Sequence, residues 1–196
     1  MGTDCAPFVA NLLLLYYERK FIESLKDDEI ENYNFTKNIG RFIDDLLVFN
    51  DKGLFDKAIQ TIYPVELQLV PTHLVNNRVN FLDMTLVVDN RKIKTYLYDK
   101  RNDFGFKVVS MPHFYSNTPN NSLIGTFVSQ LARYVDINSE YDKFLGDSVA
   151  LKHKLIHQGY PAKLLNKGIH NFLAKNSYKI CTKYWVCPDA ESICNL

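Results

Sequence analysis

Two adjacent carboxylates, Asp44 and Asp45, interrupt the apolar run Gly40-Arg41-Phe42-Ile43-Asp44-Asp45-Leu46-Leu47-Val48-Phe49. β-Forming residues on both sides of a polar pair predict a tight hairpin with buried strands and an acidic tip. Two ionised aspartates this close repel each other, and each loses hydration unless water, a base or a cation compensates. Hard carboxylate oxygens suit Mg²⁺, which is held by one or two carboxylates together with substrate phosphates, the arrangement used in nucleotidyl transfer. The same tetrapeptide also serves as an ordinary solvated turn, so its meaning depends on what surrounds it.

What must position the pair is read from the rest of the chain. Pro7 suits the first turn of a helix, and Phe8, Leu12, Leu15, Tyr16 and Phe21 recur at helical spacing to about Leu25, which predicts a largely buried helix. So apolar a helix asks for a covering segment, and the expectation is that the chain is the later part of something longer. After a polar stretch and the acidic hairpin, Asn50-Asp51 offers a cap for a helix from about Gly53 to Ile62, stopped by Pro64. The alternation Val65-Glu66-Leu67-Gln68-Leu69 predicts a strand, and residues 79–88 and 92–98 predict a second hairpin turning at Asp89-Asn90. Three helices follow, over residues 123–135, 141–158 and 161–175, with Gly159 and Pro161 separating the last two. From Tyr178 the pattern fades, and a poorly packed tail is expected. The fold class is α+β, divided into residues 1–110, a helical region 111–177 and the tail 178–196.

Charge and composition narrow the function classes. Net charge is +1, with 46% hydrophobic and 13% aromatic residues, which fits a globular protein and excludes wholesale disorder. The apolar run from Phe8 to Tyr17 is cut by Asn11 and ended by Glu18-Arg19-Lys20, so no membrane span is expected. Four cysteines without Cys-x-x-Cys spacing read as reduced thiols inside a cell rather than a zinc site. Between Lys143 and Trp185 eight lysines, among them Lys152, Lys154 and Lys163, face one acid, Asp147. Such a segment reads either as a phosphate-backbone contact surface or as a solvated helix face. Tyr134, Tyr141 and Tyr160 are assigned to helix core.

In this order the elements resemble the second half of a reverse transcriptase, within it the Penelope-like retroelement class. The loop from Met1 and Gly2 to Pro7, leading into Phe8-Val9-Ala10-Asn11-Leu12, resembles the Gly-x-x-x-x-Pro loop before the palm helix. Arg41-Phe42-Ile43-Asp44-Asp45 resembles the aromatic-x-Asp-Asp box, and Asn80-Phe81-Leu82-Asp83 with residues 94–100 resembles the primer-grip hairpin. Gln158-Gly159-Tyr160-Pro161 resembles the corner between thumb helices. The resemblance implies a partial palm followed by a three-helix thumb. Asp44 and Asp45 would be catalytic metal ligands for Mg²⁺, Gly2, Pro7, Phe42, Phe81 and Leu82 would lie against nucleic acid, and Lys152, Lys154 and Lys163 would neutralise phosphates. It also implies an RNA template, a DNA primer–template duplex and deoxynucleotide triphosphates as partners, with no membrane, in the nucleus or cytoplasm and the nucleus preferred.

The family pattern places a third metal carboxylate and the fingers upstream of the Gly-x-x-x-x-Pro loop, and a nuclease downstream; none is recognisable here. The expectation is therefore an RNA-directed DNA polymerase fragment that is inactive alone. The alternatives are a non-catalytic nucleic-acid-binding relic or domesticated module, and a protein-interaction domain with a chance Asp-Asp turn.

Overall fold

The computed structural model describes residues 5–25, 37–49, 55–70, 77–106 and 108–194. Among them are six α-helices and two small antiparallel sheets, a mixed α+β architecture. The chain divides into two compact units, Met1–His73 and Leu74–Leu196.

The first unit holds α1 (Ala6–Ser24), the hairpin β1 (Ile39–Phe42) and β2 (Asp45–Val48), and α2 (Phe55–Ile62). Proline occupies the first turn of α1, where its missing N–H costs no helical hydrogen bond. The hairpin pairs Ile39 with Val48 and Phe42 with Asp45, so only Ile43 and Asp44 form the turn. Two expectations are corrected here. No residue of α1 is buried, and Phe8, Leu12 and Tyr16 are each more than half exposed. The expected strand at residues 65–69 is absent; Leu67 N–H instead donates to Pro64 O at 2.9 Å in a turn, and Val65 is 88% exposed. Alternation cannot make a strand without a partner edge to take its hydrogen bonds. The expected cap at Asn50-Asp51 lies outside the described residues.

The second unit contains β3 (Arg78–Phe81), β4 (Met84–Asp89) and β5 (Lys92–Leu97), a 3₁₀ turn at Lys100–Asp103, then α3 (Asn120–Ile137), α4 (Tyr141–His157), α5 (Ala162–Tyr184) and α6 (Glu191–Cys194). Residues 79–88, expected as one strand, fold back at Leu82-Asp83, giving a three-stranded meander in the order β3-β4-β5. The turn between β4 and β5 is Asn90-Arg91, both at positive φ.

The core belongs to the helices. Leu123, Phe127 and Leu131 on α3, Phe144, Leu151 and Leu155 on α4, and Leu165, Ile169 and Phe172 on α5 repeat at three-, four- and seven-residue intervals and are buried. Each such side chain contributes about 1.5–3 kcal/mol relative to exposure. Tyr134 and Tyr160 join this core, and Tyr141 packs against it. At the α4–α5 corner Gly159 has φ +84°, and a Cβ there would stand 2.8 Å from His113 Cε1, so glycine serves both the backbone and the packing. Tyr160 is buried beside it, and its hydroxyl donates to Pro112 O at 3.0 Å.

Within the second unit the sheet is fastened to the helices by polar contacts. Thr95 Oγ1 donates to Ile137 O at 2.5 Å, Ser139 N–H to Thr95 O at 2.8 Å, and Leu97 N–H to Asn138 Oδ1 at 3.2 Å. Buried Asn138 in turn donates through Nδ2 to Asp147 Oδ2 at 2.9 Å. Burial raises the Asp147 carboxyl above its usual range, and the bond from Asn138 offsets part of that rise. The tail is also corrected: α5 continues to Tyr184, and Ile180 and Ile193 are fully buried.

Candidate functional site

The acidic pair is built from the hairpin outward. Asp44 is the second turn residue and Asp45 the first residue of β2, and both are exposed. Ile43, the first turn residue, sits at φ +54°, an unusual conformation for a β-branched residue that persists only where the surroundings hold it. What holds it is Arg41. Its Nε donates to Glu18 Oε1 at 2.6 Å, and its Nη1 donates to Asn11 Oδ1 at 2.7 Å and to the Ile43 carbonyl at 3.2 Å. Glu18 Oε1 also accepts from Tyr63 Oη at 2.6 Å. Burial, and then this bond to Glu18, raise the Tyr63 hydroxyl well above its usual range.

One helix face of α1 thereby clamps the hairpin and the end of α2, and fixes the tip that carries both carboxylates. Phe42, 55% exposed, flanks the tip, and Pro7 is exposed at the start of α1. Gly2 lies outside the described residues. The donor chemistry at the tip fits a hard divalent cation held by carboxylate oxygens and water. Among the described residues no three His, Cys, Asp or Glu side chains come together as a metal site.

The Leu82-Asp83 turn repeats the local design within the second unit. Phe81 pairs with Met84, and Leu82, 38% exposed, takes φ +54° as the first residue of a two-residue turn. Asp83 is not free for ligand chemistry, since it accepts from Arg133 Nε of α3 at 2.5 Å. Phe81 is half-buried.

The lysines separate into two kinds. Lys152 is corrected: it is 4% exposed, and its Nζ donates to Ile193 O at 3.2 Å and Cys194 O at 2.5 Å, which ties α6 to α4 and removes it from any phosphate surface. Lys183 likewise donates to Val135 O at 2.6 Å and Asp136 O at 2.8 Å, satisfying carbonyls at the end of α3. Burial lowers its ammonium below the usual range. Lys154 is half-buried beside Asp99 and Arg101, whereas Lys163 stands exposed on α5 with Lys167 and Lys175.

Glu18, Asn11 and Tyr63 escaped sequence reasoning as a cluster, since Tyr63 lies far along the chain from the other two. Arg133 carried no signal. No helix among the described residues is long and apolar enough to cross a membrane. No protein-family model, curated protein or solved structure matches the chain.

Proposed function

We propose that the chain contributes the Asp-Asp portion of a reverse-transcriptase palm and its thumb to an RNA-directed DNA polymerase of a retroelement, acting inside the cell, in nucleus or cytoplasm. The observation that carries this reading is the exposed Asp44–Asp45 pair on a strained two-residue turn, clamped through Arg41 to the helix that follows Pro7. Isoleucine at positive φ is strained, and the Arg41 bonds hold it there with both carboxylates exposed. Asp44 and Asp45 would hold Mg²⁺, which when bound supplies charge stabilisation to phosphoryl oxygens. Phe42, Phe81 and Leu82 would lie along the nucleic acid, and exposed Lys163 would contact phosphate without reading bases.

A second reading is favoured by the lack of a third carboxylate near the tip among the described residues: a nucleic-acid-binding module without catalysis. Primer extension separates the two only in a chain supplied with the missing half, so metal binding is the better first test. Mn²⁺ added to isotope-labelled protein should broaden the amide signals of residues 43–46, and Asp44→Asn with Asp45→Asn should abolish the broadening. The 196-residue chain should bind an RNA–DNA primer–template in a salt-dependent way and not extend it. Broadening elsewhere, or no duplex binding, would refute the proposal.

A further inference from the structure

Helix α5 carries five lysines and one histidine over 23 residues and not a single Asp or Glu. Its buried side is lined by Leu165, Ile169 and Phe172. At 3.6 residues per turn, Lys163, Lys167 and Tyr178 fall within about 60° of one another on the opposite side. Tyr178 is 84% exposed, and the residue that closes the helix, Trp185, is 91% exposed. Trp185 stands in the left-handed conformation at φ +58°, a cap that glycine or asparagine normally takes. Its N–H donates to Cys181 O at 2.8 Å, so the backbone there is ordered while the indole projects into solvent.

Among the described residues few acids engage this helix. Asp136 is engaged with Lys179 at 2.5 Å, and Asp189 and Glu191 lie beyond Trp185, where Glu191 N–H donates to Asp189 Oδ1 at 3.0 Å. Lys163, Lys167 and Lys175 are exposed and remain available.

From this arrangement we infer that the outer face of α5 binds an unpaired nucleic-acid strand, with bases stacking on Tyr178 and Trp185 and phosphates meeting Lys163 and Lys167. Cations alone would suit any polyanion. Two solvent-facing aromatic rings, one on the acid-free helix and one on its cap residue, add what unpaired bases need and a duplex, whose bases are already stacked, cannot use. Lys163 to Trp185 spans about 33 Å at 1.5 Å per residue, room for several nucleotides. The inference rests on the reading of the chain as a nucleic-acid binder, and deepens it by naming the strand that α5 takes; it does not depend on the Asp44–Asp45 tip.

Trp185 is the single tryptophan, so its emission reports on the capped end of α5. The full chain is titrated with a short oligouridylate, the matching RNA–DNA duplex and heparin. Oligouridylate should quench Trp185 strongly, and the duplex and heparin should not. Tyr178→Ala should weaken oligouridylate binding about tenfold and leave duplex affinity unchanged. Lys163→Gln with Lys167→Gln should lower the slope of log K against log salt by about 1.4, two phosphates at about 0.7 each. All three side chains are exposed, and circular dichroism melting checks that the variants fold. Quenching by heparin or duplex equal to that by oligouridylate, or an unchanged affinity in Tyr178→Ala, overturns the inference. Failure of the polymerase reading looks different: Mn²⁺ broadening is lost from residues 43–46 while quenching by oligouridylate persists.

Discussion

Replacing Arg41 with methionine removes the only cation among the described residues that joins α1 to the hairpin tip. The guanidinium is 16% exposed and its partner Glu18 25% exposed. It donates to Glu18 Oε1 at 2.6 Å and Oε2 at 3.3 Å, to Asn11 at 2.7 Å and to the Ile43 carbonyl at 3.2 Å. Breaking a fully buried ion pair costs about 3–5 kcal/mol because the surviving charge is stranded, and this pair is part-buried. Glu18 keeps its bond from Tyr63 and some water, which places the expected loss at the lower end, about 3 kcal/mol. At about 1.4 kcal/mol per factor of ten, protection of the amides paired across β1 and β2 should fall roughly a hundredfold in native-state hydrogen exchange. Amides of β4 and β5, in the other unit, should be unaffected. Arg41→Lys should recover only part of the loss, since a single ammonium cannot reproduce the fork. A change in hairpin protection below about threefold would assign Arg41–Glu18 to the class of solvated surface pairs worth about 0–1 kcal/mol, and would refute the account of how the acidic tip is held.

Gly159→Ala should destabilise the helical unit by about 2 kcal/mol, from the left-handed backbone and the encounter with His113, and His113→Ala should restore part of it; urea midpoints measure both. Lys152→Met should expose the Ile193 amide to exchange, with a loss of about 1–3 kcal/mol, and leave the salt slope of nucleic-acid binding unchanged. Asp147→Asn keeps an acceptor for Asn138 and removes a carboxyl whose pKa burial raises. The folded wild type holds the Asp147 proton more tightly than the unfolded chain does, so the stability linked to Asp147 is complete below the unfolded value of about 4 and is lost as pH rises through the raised folded value. The variant should therefore gain most over wild type at neutral pH and lose that advantage near pH 4; a difference independent of pH would refute the assignment.

Local chemistry made much of this molecule legible. Proline before an apolar repeat marked α1, Asp-Asp between β-formers marked a hairpin tip, and Gly159-Tyr160-Pro161 marked the α4–α5 corner, because each depends on backbone conformation and near neighbours. Three- and four-residue spacing likewise marked α3 to α5, though not the last turns of α5, where Ile180 is buried by packing that its own segment does not announce. Burial is a property of the partner surface. Hence the apolar pattern of α1 read as core although none of it is buried, and the alternating residues 65–69 found no strand to pair with. Charge behaved the same way: Lys152 and Lys163 are alike in sequence, and only the arrival of the α6 carbonyls from 41 and 42 residues away made one a structural donor and left the other facing water. The turn at Leu82-Asp83 also depended on tertiary structure, since Arg133, 50 residues on, supplies the charge that holds Asp83. Residues within one turn of each other meet by covalent geometry. The clamp of Arg41 on Glu18 and Asn11, and the pairing of Asp83 with Arg133, exist only because distant segments are brought together where water is partly excluded and the pairing outweighs the lost hydration.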